Sequence, residues 1–143
     1  MKIGEVAAVA QCSVETIRYY EKEGLLPEPG RTEGNYRSYG LEHVERLRFI
    51  RNCRALDMSH GEIRTVLNIV DHPATDCGSV NLVFDQHIAH VDERIRELMQ
   101  LKQQLGALRE SCQSEQAVEA CGILRVLSTM EAEPKPERLT HLG

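Results

Sequence analysis

A chain of 143 residues, 41% hydrophobic and 27% charged, has the size of one domain or of a small domain with an appended element. Aromatics at 4%, with no tryptophan, argue against a large sandwich or barrel. No apolar run approaches the ~20 residues that span a membrane and the N-terminus lacks a signal peptide's apolar core, so a soluble, cytoplasmic protein with no membrane partner is expected. The formal net charge of -5 speaks against nucleic acid only until its distribution is read. Residues 1–70 carry ten Lys/Arg and ten Asp/Glu, residues 71–143 seven and twelve, and within 31–54 six arginines (31, 37, 46, 48, 51, 54) stand against three glutamates. Because screening cuts off distant charge within about 10 Å, a local cationic surface can bind phosphate on an acidic chain.

The opening predicts two short helices with a tight break. Ile3, Val6, Ala7 and Ala10 are spaced for one buried face, Gln11-Cys12-Ser13 breaks the pattern, and Ser13 is suited to cap a second helix from Val14 to about Glu23, ended by Gly24. Two helices joined this closely match a helix-turn-helix, whose second member enters the major groove. Residues 25–40 hold two prolines and three glycines, which exclude a helix, while Tyr36, Arg37 and Tyr39 suit a short strand. A small β-hairpin, a wing presenting Arg31, Asn35 and Arg37, is the reading; an ordinary charged loop is its plainer rival.

Helical periodicity returns at Leu41, with Val44, Leu47, Ile50 and Cys53 or Arg54 on one face to about Leu56. Ser59-His-Gly-Glu62 has the form of a capping box and opens a helix expected to bury Ile63, Val66, Leu67 and Val70, with Pro73 ending it. Asp76-Cys77-Gly78-Ser79 reads as a hinge. A long helix is predicted from about Val80 to Glu110, in which Phe84, Ile88, Val91, Ile95 and Leu98 step by four and three like a coiled-coil seam. About four heptads of apolar stripe need a partner, most simply a second copy of the chain. Folding back on the N-terminal domain is the alternative. Gln113–Ala120 reads as a polar loop, Gly122-Ile-Leu-Arg-Val-Leu as a short helix, and the proline-containing tail 131–143 as disordered. The domain plan is thus 1–70 for DNA binding, 71–79 as hinge, 80–111 for dimerisation and 112–130 as a sensor loop with a short helix.

Five cysteines in a chain without export signals point to metal or redox chemistry rather than a disulfide framework. Cys12, in the helical break, and Cys53, on the inner side of a basic helix, read as small core residues. Cys77, Cys112 and Cys121 flank the long helix. Cys77 and Cys112, 35 residues apart, lie roughly 50 Å from each other along an unbroken helix. In an antiparallel pair of helices, however, Cys77 of one subunit lies beside Cys112 and Cys121 of the other. Two identical three-thiolate sites would result. With no histidine in either segment to complete a tetrahedral zinc set, such a site suits lead(II) or mercury(II), or cadmium(II) with an added water or carboxylate. A redox use, with a Cys112–Cys121 disulfide, remains open from spacing alone. His60, His87 and His90 read as solvated or interface residues. No phosphate loop, paired carboxylates or nucleophile–base spacing suggests an enzyme.

Taken together, Ile3-Gly4-Glu5-Val6-Ala7, Thr16-Ile17-Arg18-Tyr19-Tyr20-Glu21, Gly24-Leu25-Leu26-Pro27 and Asn35-Tyr36-Arg37-Ser38-Tyr39 before His43-Val44-Glu45-Arg46-Leu47 resemble the MerR family of transcriptional regulators. Asp76-Cys77-Gly78-Ser79-Val80-Asn81 and Cys121-Gly122-Ile123-Leu124 look like its lead(II)- and cadmium(II)-responsive branch. The resemblance implies a mainly α fold: winged helix-turn-helix domains, a long antiparallel dimerisation coiled coil and a C-terminal metal-binding loop. It also implies a homodimer on a pseudo-palindromic operator in an overlong promoter spacer, where metal binding distorts the DNA and realigns the promoter for RNA polymerase. Carried over by position, Arg18, Tyr20 and Arg37 would contact DNA, with Tyr36 and Arg54 beside them, and Cys77, Cys112 and Cys121 would bind metal. Val14, Glu15 and Thr16, at the start of the recognition helix, would face base edges. Gln113 stands where zinc sensors of the family carry a second thiol, and Cys77 stands where copper sensors have none. The clustered cysteines of the redox branch are absent. Mercury sensors share the three-cysteine arrangement, while the single tail histidine, His141, departs from cadmium sensors. Lead is therefore the expected effector, with cadmium or mercury next and zinc less favoured. A redox-responsive regulator and a metal-storage protein are the competing classes.

Overall fold

The computed structural model describes residues 1–72, 77–113, 115 and 117–134. Pro73, the start of the predicted hinge motif at Asp76, and the tail from 135 lie outside the described residues. The chain divides into two compact units, the first ending at Val83 and the second beginning at Phe84.

The first unit opens with α1 (Ile3–Ala10) and α2 (Val14–Lys22). Between them Gln11 takes φ 55°, a left-handed conformation that stops α1 within one residue. Ser13 then caps α2 as expected, its hydroxyl accepting from the Thr16 backbone N–H at 3.1 Å. Gly24 leaves α2 at φ +73°, where a side chain would be strained. The wing follows as β1 (Gly30–Arg31) and β2 (Arg37–Ser38), antiparallel with Gly30 opposite Ser38 and Arg31 opposite Arg37. Asn35, at φ 63°, turns the chain at its tip.

α3 (Leu41–Ala55) buries Val44, Leu47, Ile50 and Cys53, the predicted face, together with His43. α4 (His60–Val70) starts at the predicted capping box: the Glu62 N–H donates to Ser59 Oγ at 3.2 Å and the Ser59 N–H to Glu62 Oε1 at 2.8 Å. Ile63, Val66 and Leu67 are buried, but Val70 is 51% exposed, a correction to the sequence reading. Its position closes the helix, where the last turn runs off the core; α4 ends there, ahead of Pro73.

Two apolar clusters hold this unit. Val6, Ala7, Ala10, Ile17, Leu26, Tyr39, Val44 and Leu47 form one between α1, α2, the wing and α3. Leu25, Ile50, Cys53, Met58, Ile63, Val66, Leu67 and Val83 form the other around α3 and α4. At roughly 1.5–3 kcal/mol per fully buried aliphatic side chain, these clusters supply the main drive for folding.

α5 (Cys77–Glu110) begins at Cys77, three residues before the sequence reading began it, so Cys77, Gly78 and Ser79 are its first turn. At 1.5 Å per residue its 34 residues extend about 50 Å. Beyond Phe84, the second unit contains the rest of α5, a 3-10 turn at Val118–Ala120 and α6 (Gly122–Thr129).

Candidate nucleic-acid interface and thiol pair

The recognition helix sorts its side chains by period. Val14, Ile17 and Tyr20, three apart, face inward: Ile17 is fully buried, Val14 packs against the first cluster and Tyr20 touches both. Burial accordingly lifts the Tyr20 phenol above its ordinary pKa, against the pull of Arg54. Glu15, Arg18, Tyr19 and Lys22 face outward, and Thr16, half-buried, exchanges a 2.8 Å hydrogen bond with Ser13. Of the residues expected to meet DNA, Glu15 and Arg18 are therefore on the open face, while Val14 and Tyr20 lie on the inner one. Tyr19, which the sequence reading passed over, is the tyrosine the helix exposes, at 42%. Its hydroxyl lies 3.2 Å from His60 Nδ1, and the rings of Tyr19, Tyr20 and His60 meet at 5.5–6.1 Å. His60 is thus not simply solvated: desolvation, then Arg54, lowers its pKa and favours the neutral ring.

The wing is fastened to this helix through Glu21. Arg37 Nη1 donates to Glu21 Oε2 at 2.6 Å, and the Tyr39 hydroxyl donates to Oε1 of the same carboxylate. Arg18, Lys22, Arg31 and Arg37 then converge with Ile3, Glu21, Glu28 and Pro29 around an open groove of about 550 Å³. Four cations against two carboxylates make it a net cationic recess able to receive backbone phosphate. Tyr36, 74% exposed at the wing, stands free to stack or hydrogen-bond.

Not every arginine of the basic stretch is left to meet a ligand. Arg46 donates to the Leu25 carbonyl and grips Asp71 with both terminal nitrogens at 2.7 and 2.8 Å. Arg51 ties α3 to the helix-turn-helix break through the Ala10 carbonyl and Gln11 Oε1. Arg54, half-buried, donates to the Met58 carbonyl at 3.1 Å. Arg46 and Arg51 fasten elements together as Arg37 does, Arg54 braces the turn after α3, and a count of charges along the sequence could not separate them from Arg18 and Arg48.

Cys53 is buried, as its inner-face position predicts, Cys12 in the break is only half-buried, and burial raises both thiols above the ordinary value. Cys77 is exposed at the start of α5. Past the other end, Cys112 follows the last turn of α5, Cys121 immediately precedes α6, and the two thiols lie within hydrogen-bonding reach of one another. The Leu124 backbone N–H lowers the Cys121 pKa against desolvation, with the Cys112 thiol and the Ile123 N–H adding to it. A thiol so disposed at a helix start gives up its proton more readily and binds soft cations better. The described apolar stripe of α5 is open: Phe84, Ile88, Ile95, Leu98 and Leu105 are 38–57% exposed, as are Leu124, Val126 and Leu127 of α6 at 37–56%.

Comparison with known proteins gives these features a setting. Residues 1–68 match the family model "MerR HTH family regulatory protein" and residues 44–108 the model "MerR, DNA binding". An HTH-type transcriptional regulator ZntR homolog of Haemophilus influenzae is 50% identical over 77% of this chain and 82% of its own length. Among solved structures, the transcription regulator PbrR691 from Ralstonia metallidurans CH34 in complex with lead(II) is 50% identical, with a TM-score of 0.82 over 89% of this chain and 98% of that one. The regulator MerR of Bacillus megaterium MB1 in complex with mercury(II) is 27% identical, with a TM-score of 0.72 over 90% of this chain and all of that one. No helix among the described residues is long and apolar enough to cross a membrane.

Proposed function

Since the chain belongs to the MerR family of helix-turn-helix regulatory proteins, we propose that it acts as a homodimeric sensor of a thiophilic metal ion, lead(II) first, on operator DNA. It is a metal-responsive transcriptional regulator and not an enzyme. The observation that carries the metal reading is the close packing of Ser111 against Gly122, which sets the adjoining Cys112 and Cys121 side by side as a pair of soft donors. Three soft donors without a neighbouring histidine fit lead, cadmium or mercury better than a closed tetrahedral zinc site.

In this reading Cys112 and Cys121 of one protomer and Cys77 of its partner hold the ion, which supplies a cross-link between the subunits. The chain's own residues do the rest. Arg18, Lys22, Arg31 and Arg37 grip backbone phosphates and fix register, with Tyr19 and Tyr36 beside them, and Glu15 is offered to base edges. Glu21 holds the wing and the recognition helix as one rigid reading head. Cys77 opens α5 directly after the DNA-binding helices, so a tie at its thiol favours one angle between two such heads by a few kcal/mol, which is enough to redistribute promoter geometries. RNA polymerase then meets the realigned promoter.

A mixed dimer tests the proposal. One chain carrying Cys77→Ser paired with one carrying Cys112→Ser retains a single intact site if each site is shared between subunits. If all three sulfurs came from one chain, no site would survive. Transcription from the cognate promoter, titrated with lead, cadmium, mercury and zinc, ranks the ions. Equal activity of the Cys112→Ser homodimer with and without metal is expected, at operator affinity within a few fold of the unmodified protein.

A further inference from the structure

In the second unit one glycine is required by a neighbour rather than by its backbone angles. A Cβ built on Gly122 would lie 2.5 Å from the Ser111 carbonyl oxygen, 3.1 Å from Ser111 Oγ and 3.2 Å from its carbonyl carbon. Real Cβ atoms do not approach other atoms closer than 3.0 Å, and the obstacle is main chain, not the yielding end of a side chain. Ser111 is itself held to the last turn of α5, its N–H and Oγ both donating to the Leu108 carbonyl at 3.1 and 2.6 Å. Gly106, in the body of α5, makes the contrast: nothing lies within 4 Å of a Cβ placed there.

The contact matters for what adjoins it. Cys112 directly follows Ser111, and Cys121 directly precedes Gly122, so this close contact stands beside both cysteines. We propose that Gly122 is a positioning residue whose missing side chain sets the Cys112–Cys121 separation and presents the two thiols as a preformed pair. The proposal rests on the metal-site reading above and deepens it: an ion entering a preformed pair does not have to close the loop itself. With alanine at 122, α6 and the end of α5 must part by roughly 0.5–1 Å to restore an ordinary packing distance, and the sulfurs part with them.

The test uses the full chain in a Cys77→Ser background, comparing Gly122→Ala with Gly106→Ala as control. The first readout needs no metal: closure of the Cys112–Cys121 disulfide by an azodicarboxamide, which takes up the two electrons and two protons that the thiols lose. Gly122→Ala is expected to slow closure at least tenfold and Gly106→Ala to leave it unchanged; closure at the unmodified rate in Gly122→Ala overturns the proposal. A second readout covers local unfolding of α6. A short bifunctional thiol reagent should lose yield in Gly122→Ala while a longer one retains it, and an unchanged preference for the short reagent counts against the proposal. In the native-cysteine chain, lead(II) affinity measured by thiolate-to-lead absorption should fall about 10–100-fold in Gly122→Ala, the range for residues that orient metal ligands. Slowed closure with unchanged lead affinity would instead sink the metal-site reading and leave the spacer role intact.

Discussion

Val6, Ile17, Leu25, Ile50, Met58 and Ile63 of the N-terminal unit are at most 1% exposed, whereas Ile88, Ile95, Leu98 and Leu105 of the second unit stand 46–57% exposed. The first unit is complete by itself: short elements, each capped or tied, close two apolar clusters and leave a cationic recess outside. The second is a rod whose stripe has the wrong solvent. The difference separates two kinds of sequence information. Core-forming periodicity in residues 1–83 specifies a fold, and the same kind of periodicity in α5 leaves an apolar stripe open for the proposed second copy.

The sharpest way to break that contrast is a charge in the stripe. Ile95→Asp places a carboxylate in each protomer against the proposed seam, at a cost of roughly 2–3 kcal/mol apiece. The dimer dissociation constant, followed by sedimentation, should rise about a thousandfold or more, while the melting of the N-terminal unit stays put. An unchanged dimer would mean that the stripe is not the seam. The converse is Ile50→Ala, a cavity in the closed unit that should cost about 2–5 kcal/mol and lower its melting temperature by at least about 10 °C, independently of protein concentration.

A smaller effect separates surface from core along α2. Arg18→Ala should weaken operator binding by about 1–3 kcal/mol and flatten the salt dependence by about one ion, with melting unchanged. Tyr20→Ala, by contrast, removes a ring packed against both clusters and should lower melting as well as DNA affinity. If Tyr20→Ala melted like the unmodified protein, the inward assignment of that face would be wrong.

Much of this was legible in advance. Ser13, the Ser59–Glu62 box, the wing and the 3.6-residue spacing of α3 are local signals, and local physics decides them. The Val14–Ile17–Tyr20 spacing also carries the orientation of the recognition helix; Tyr20 enters the expected DNA contacts only by position in the family resemblance, whereas the helical period puts Tyr19 on the open face. The arginines were less readable. Arg46 and Arg51 find partners 25 and 40 residues away, and only the folded chain reveals that they fasten elements. Gly122 was invisible for the same reason, since its requirement comes from Ser111, brought against it by the turn that pairs Cys112 with Cys121.

The gentlest probe of the closed unit is the tie between α3 and the end of α4. Arg46 holds Asp71 by two hydrogen bonds, and those bonds, against some desolvation, keep the Asp71 carboxyl below the usual carboxylate range. A folded pKa below the unfolded value of about 3.9 means that the folded state favours the ionised form. The stabilisation is therefore complete above about pH 5 and disappears as pH falls through the folded value. Asp71 is about half exposed, so water and salt weaken the tie, and its worth is at most about 1 kcal/mol. Asp71→Asn should lower the melting temperature of the N-terminal unit by a few degrees at pH 7, and the difference should shrink as pH falls through the folded pKa of Asp71, where the unmodified chain loses the same interaction. A difference between the two proteins that persists unchanged to low pH would assign Asp71 a role independent of its charge.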